Sequence, residues 1–461
     1  MSAVRSWVCG IVLSTGTVAS PLQGWAQEEV SDSAGRSLEA RVDELDQQVR
    51  ILQRLRELAA ESLATAAKDR QTVTANGKDG FSLKSADGKY TLKLRGYAHA
   101  DARFFASDDA KAIPNTFFLR RARPIIEASV GKYFDFRLMP DFAQGTTTLF
   151  DAYWEGKFSP AFAVRAGKYK PPVGFERLQS ATDITFAERG LPTNLAPNRD
   201  VGLQIAGDVS AGLFAYQVGI FNGVADLANG DGDGNDSKEL AARIYIQPVK
   251  QGSLKGLGFG VSSSTGEEMG TATATGLAGY RSASQQTVFR YRSDAVTPAN
   301  TVIAEGRRTR VSPHAYLGLG SLGVLGEFIL SSQEVRAAAT TAKLNHRAWQ
   351  ASAGYFLTGE QAGFRSPTPK KPFDLKEGTW GAFELAARYG ELDIDDDAFP
   401  TFANPTSAVS KAKGIGMGVN WHLSKQIKVV VNYEHTTFEG GGPTGDRPSE
   451  DFVVTRFQHA F

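Results

Sequence analysis

An all-β transmembrane barrel of about sixteen antiparallel strands, preceded by a short N-terminal coiled-coil helix, is the fold this sequence predicts. Three observations predict it. From Gly80 to Phe461, apolar and polar residues alternate in one strand-like stretch after another. Arginines recur on the polar parity of those stretches, where a soluble sheet would desolvate them at heavy cost. No run of about 18 apolar residues occurs, so a helical membrane span is excluded. A barrel survives that test, because its alternation averages out in a slightly negative mean hydropathy.

The N-terminus comes first. Arg5, the mildly apolar stretch from Trp7 to Ser20 and "GWAQ" at 24–27 read as a secretory signal, residues 1–26, cleaved after Ala26. Cys9, the one cysteine, lies inside it. The mature chain then has neither disulfides nor thiolate chemistry. Residues 27–64 follow as a periplasmic helix. Leu38, Val42, Leu45, Val49 and Leu52 keep a 4-3-4-3 spacing, the apolar seam of a coiled coil. The pattern drifts at Leu55 and Leu58, where Arg56 takes the expected seam position. So short a helix needs partner chains for stability; the alternative is an amphipathic helix packed on its own domain. Residues 65–79, "TAAKDRQTVTANGKD", read as a polar linker.

The barrel is expected over 80–461. In "YTLKLRGYAHADARFF" at 90–105, Leu92, Leu94, Gly96, Ala98 and Ala100 share one face, and Lys93, Arg95, Tyr97, His99, Asp101 and Arg103 the other. In "TFFLRRARPIIEASV" at 116–130, Arg121 and Arg123 share a face with Glu127 and Ser129. The same alternation places Arg137, Arg243 and Arg388 on inner faces. In "GIGMGVNWHLSKQIKVVVNYEH" two strands flank a turn, with Met417, Val419, Val429 and Val431 on the apolar side. The final "DFVVTRFQHAF" puts Val453, Phe457 and Phe461 on one parity and ends on an aromatic. After the linker about 380 residues remain, and at roughly 24 per strand with its share of connections they make about 16 strands. A barrel of that size encloses water, which leaves inward guanidiniums hydrated. An even strand number brings both termini to the periplasmic side.

The charge and motif content excludes other classes. A net charge of +1 over 461 residues argues against a nucleic-acid binder. "NGDGDGND" at 229–236 is not an EF-hand: counted from Asp231, Asp236 stands at the required glycine and Ala242 at the required acid. The six histidines lack zinc-ligand spacing, and neither a catalytic constellation nor a cofactor is expected. "EGRRTR" at 305–310 reads as a loop.

Several segments, taken in order, carry a family resemblance. They are "DGFSLKSADGKYTLKLRGYAHADARFF", "FFLRRARPIIEASVGKYFDFRLMPDF", "RAGKYKPPVGFERLQS", "AERGLP", "APNRDVG", "GIFNG" and "YFLTGE". From Gly80 to Phe461 the chain resembles the phosphate-selective porin O and P family of Gram-negative outer membranes. The resemblance implies a homotrimer of 16-stranded barrels, each with its own anion-conducting pore. It also implies that Arg120 and Arg121, at the motif's adjacent arginine pair, line the constriction. Their opposite parity requires a bulge or a position near the rim; the alternative is that Arg120 snorkels at the interface. The non-alternating stretch from Pro171 to Asp200 is the natural segment to fold inward. It carries Glu176, Arg177, Glu188, Arg189 and Arg199. The family's central lysine falls on Lys168 or Lys170. The expected anion pathway is therefore Arg120, Arg121, Arg123, Lys168, Lys170, Arg95 and Arg137. The expected partners are inorganic phosphate or polyphosphate, outer-membrane lipid, two further copies of the chain, and the cell wall through the coiled coil. A general diffusion porin and a coiled-coil tether are the alternatives.

Overall fold

A computed structural model describes residues 38–68, 72–76, 80–85, 87–107, 113–210, 212–249, 251–252, 254–294 and 300–461. The signal segment 1–26 with Cys9, and residues 27–37 of the expected helix, lie outside them. One helix, α1 (Leu38–Lys68), forms a unit of its own. Its seam residues Leu38, Val42, Leu45, Val49 and Leu52 are all exposed. Asp46–Arg50 at 2.7 Å and Arg54–Glu57 at 2.9 Å are ion pairs along its surface.

The stretch expected to be a linker is structured differently. The helix continues to Lys68, and Thr72–Asn76 (β1) pairs antiparallel with Gly80–Lys84 (β2). The β-branched "TVT" suits a strand, and β2 finds free backbone groups along the start of the next strand, pairing Phe81 with Leu94.

The wall begins with β3 (Tyr90–Phe105), β4 (Thr116–Val130), β5 (Phe134–Asp141), β6 (Thr148–Ser159) and β7 (Phe162–Tyr169). A one-turn helix, α2 (Phe175–Leu178), interrupts the connection to β8 (Asp200–Val209), β9 (Phe214–Phe221), β10 (Glu239–Ile246) and β11 (Gly258–Met269). A small hairpin, β12 (Tyr280–Arg281) with β13 (Thr287–Phe289), lies in the next loop. Then come β14 (Ile303–Leu319), β15 (Leu322–Ala337), β16 (Thr340–Phe356), β17 (Ala382–Asp393), β18 (Val409–His422) and β19 (Ile427–Gly442). The short β20 (Gly445–Asp446) pairs with the tip of β19, and β21 (Glu450–Ala460) ends the wall. Of the nineteen strands in the main sheet, β1, β2 and β20 are appendages; the other sixteen form a closed antiparallel barrel. Closure is by β21 on β3, from Phe452 opposite Phe105 to Ala460 opposite Tyr97. Phe461 and Gly96 then exchange backbone hydrogen bonds of 2.9 and 3.1 Å.

The two faces are inverted relative to a soluble protein. Leu385 on β17 (45% exposed) and Met417 on β18 (58%) project outward, while Arg388 and Asn420 of the same two strands, and Asn432 and Glu434 of the adjacent β19, are buried inside. At the end carrying the short turns 131–133 and 160–161, Tyr133, Phe134, Phe158 and Phe162 form a contiguous aromatic patch, as at a membrane interface. Three connections turn into the lumen: 170–199 and 270–302 from the long-loop end, and 357–381 from the short-turn end. The buried apolar cluster lies where the first two pack against the wall, and includes Leu191, Leu195, Phe289 and Ile329.

Candidate functional site

The strand pairing resolves the parity of "RRAR". His99 of β3 lies opposite Arg121 and Ala100 opposite Leu119, so Arg120 is the extra residue of a β-bulge. Alternation is suspended for one residue, and two adjacent guanidiniums enter the lumen together. Arg120 forks onto Glu188 of the 170–199 connection, with Nε–Oε1 at 2.7 Å and Nη2–Oε2 at 3.0 Å. Arg121 reaches the same carboxylate at 3.4 Å and His99 Nδ1 at 3.1 Å. Arg123 is held by Asp141 at 2.7 Å and donates to the Tyr97 hydroxyl at 2.8 Å.

The 170–199 connection spans the lumen to the far wall. There Ala187 donates its N–H to Asn432 Oδ1 at 2.7 Å, Lys428 donates to the Ile184 carbonyl at 3.0 Å, and Arg388 to the Glu188 carbonyl at 2.7 Å. Arg456 donates to the Ala187 carbonyl and binds Glu188 Oε1 at 3.0 Å. Near its root, Glu327 accepts from the Phe175 and Glu176 N–H groups. Connection 357–381 meets it from the other end. Gln179 Nε2 donates to the Phe364 carbonyl at 2.7 Å, Ser366 N–H to Asp183 at 3.1 Å, and the Phe175 and Phe364 rings stack 4.5 Å apart.

The lumenal cavities include one of about 410 Å³ toward the long-loop end and one of about 800 Å³ toward the short-turn end. These two share Arg120, Arg121, Arg177, Arg189 and Asn198. This shared set is the collar between them, and four of its five members are arginines. Among the described residues, Arg177 donates to neutral oxygens, the Thr193 carbonyl at 2.9 Å and Asn198 Oδ1 at 3.3 Å. Arg189 donates to the Gln179 carbonyl at 2.6 Å and the Glu176 carbonyl at 3.0 Å. Such dipoles orient a guanidinium without cancelling its charge. Burial, then the charges of Arg189 and Arg199, weigh against a charged Arg177, but a guanidinium does not deprotonate in proteins.

The larger cavity is lined by thirteen lysine and arginine side chains and two aspartates. Arg95, Arg123, Arg137 and Lys170 are among them. Arg95 and Arg137 share Glu127 at 2.9 and 2.6 Å, and Arg137 also meets Asp151 at 3.2 Å. Lys170 donates to the Gln179 and Leu178 carbonyls at 2.8 and 3.2 Å.

Lys168 departs from the expected pathway. It pairs with Ala152, while its neighbours Gly167 and Tyr169 share the lumenal face with Arg165. Its parity is therefore the wall's outer one, and its ammonium binds Asp231. The stretch "EGRRTR" is not a loop either. It lies in β14, where Gly306 at φ 117° interrupts the alternation beside a register shift. Beyond it Arg308 and Arg310 turn inward, and Arg310 binds Asp226 and Glu239, each at 2.7 Å. Arg456 also enters the site; the parity of "DFVVTRFQHAF" puts it on the other face of its strand from Val453 and Phe457, and it faces the lumen, where it meets Glu188. Among the described residues, His, Cys, Asp and Glu form no group of three or more able to hold a metal ion.

Comparison with known proteins agrees with this architecture. The family described as phosphate-selective porin O and P matches residues 92–461. Porin O of Pseudomonas aeruginosa is 22% identical over 441 residues, covering 86% of this chain and 94% of that protein. Among solved structures, the outer membrane channel DcaP of Acinetobacter baumannii aligns with a TM-score of 0.51 at 13% identity, over 83% of this chain and all of that one. An anion-selective porin from Comamonas acidovorans aligns with a TM-score of 0.51 at 12% identity, over 81% of this chain and all of that one. The structural likenesses carry the barrel fold; the match over residues 92–461 carries the kinship. This chain is an outer-membrane porin, a non-enzymatic channel belonging to the phosphate-selective porin O and P family.

Proposed function

We propose that the barrel is an anion-preferring channel for phosphate or polyphosphate. The observation that carries this reading is the collar, where four arginines separate two cavities and two of the four are bound, among the described residues, to neutral oxygens only. A constriction with low-dielectric walls focuses the field of its charges, raises local anion concentration and opposes cations. A guanidinium offers parallel donors to a tetrahedral oxyanion, and charge-assisted hydrogen bonds are worth roughly 1.5–3 kcal/mol each. The basic lining of the larger cavity supplies further stations, so that the anion exits stepwise instead of resting in one deep well. Arg120, Arg121, Arg177 and Arg189 are the side chains assigned to the narrow passage, with Lys170, Arg95, Arg123 and Arg137 beyond it. The name of the family supports phosphate as the favoured solute.

Chloride current through single channels in planar bilayers, measured as phosphate is added, tests this. A passage that holds phosphate gives a saturable block at fixed ionic strength. A current indifferent to phosphate supports a general diffusion porin instead.

The working unit in this proposal is a homotrimer. The exposed seam of α1 supports it, because an apolar stripe at coiled-coil spacing is stable only against other helices.

A further inference from the structure

We propose that the Glu188 carboxylate is a built-in counter-anion, seated on the Arg120–Arg121 pair and displaced by each phosphate that passes. The inference rests on the anion-channel reading above and assigns the residue that sets how tightly the collar holds its solute.

The geometry is that of a ligand mimic. Both Glu188 oxygens lie on the Arg120 fork, at 2.7 and 3.0 Å, which is how a guanidinium takes two oxygens of a phosphate. Oε2 also faces Arg121 at 3.4 Å and Oε1 faces Arg456 at 3.0 Å. Arg456 is itself forked onto Asp101 at 2.8 and 2.6 Å, so the charge that Glu188 answers is chiefly that of Arg120 and Arg121, and any phosphate bound to that pair must take its place. Among the other acids near the pathway, Asp141 is engaged on Arg123, Glu127 on Arg95 and Arg137, Asp151 on Arg137 and Arg199, and Asp226 on Arg310, while Asp183 accepts from the Ser366 N–H. Burial raises the Glu188 carboxyl, but Arg120, Arg121 and Arg456 outweigh it and hold it well below the usual carboxylate range. It therefore competes as an anion.

Displacement does not require the loop to move. Residues 187–188 are pinned through their backbone, by Asn432 on the Ala187 N–H, Arg456 on the Ala187 carbonyl and Arg388 on the Glu188 carbonyl. The side chain can swing while its Cα stays fixed. A neutral acceptor, Gln285 Oε1, already lies 3.4 Å from Arg120 Nη2. A tethered competitor weakens phosphate binding without removing the arginines, and so satisfies the demand that a channel release what it attracts.

Glu188→Gln keeps the shape and removes the charge. In planar bilayers, the phosphate concentration that halves chloride current should fall about tenfold, because one competing charge-assisted contact is lost. The reversal potential should move further toward anions. Glu188→Asp, which keeps the charge but shortens its reach, serves should the glutamine variant not assemble, and should also tighten the block. Unchanged block, or a raised and flickering conductance without tighter block, shows that Glu188 is only a loop anchor and overturns the proposal. The wild-type reversal potential separates the two readings. A wild type that does not prefer anions removes the anion-channel reading itself; an anion-preferring wild type with unchanged block in both variants removes only the role of Glu188.

Discussion

Arg120 and Arg121 show how much one residue of register decides. On a regular strand one of them would meet lipid; the bulge opposite His99 and Ala100 turns both inward. Arg121→Ala should therefore weaken anion preference and phosphate block, with the yield of folded barrel nearly unchanged. Arg307→Ala, at an exposed site 3.9 Å from Glu267, should alter neither in the same bilayer measurements. Arg310 makes the opposite case. It is fully buried between Asp226 and Glu239, so Arg310→Ala leaves two carboxylates uncompensated and should cost about 3–5 kcal/mol, read as a lowered unfolding temperature in detergent. An unshifted unfolding temperature would mean that water already screens that cluster.

At the level of elements, the wall was legible because its physics is local. A strand between lipid and water must alternate, and Leu385 outside with Arg388 inside follows from counting alone. Legibility fails where alternation is suspended. Gly306 hid β14 behind a loop-like sequence, and the pairing partner that makes "TVTAN" a strand lies in β2, with its neighbour β3 beyond. Lys168 and Lys170 have the same parity in sequence, yet the strand ends at Tyr169 and only Lys170 turns into the cavity. The inward path of 170–199 could be suspected from its missing alternation. The docking of 357–381 against it could not, because Phe364 and Ser366 find Phe175 and Asp183 only through tertiary approach. Excising residues 361–371 should raise chloride conductance, since this segment fills the short-turn end. An unaltered conductance would place the limiting resistance wholly at the arginine collar.

For the whole molecule, the helix and the barrel make separate predictions. Native mass measurement in mild detergent should give three chains per particle, and Leu45→Asn with Val49→Asn should shift that population toward fewer chains; a clean wild-type monomer would contradict the trimer. The barrel's prediction concerns sign. Its larger cavity is lined by thirteen basic side chains and two aspartates; Glu127, Asp141 and Glu188 pair with five of the basic groups, and the remaining positive charge is expected to concentrate where ions pass. The reversal potential of the intact porin in planar bilayers under a salt gradient reads that concentration directly. An anion-preferring potential that shrinks in Arg121→Ala is the predicted result. A potential of zero, or one favouring cations, would show that the guanidiniums serve the wall and not the current.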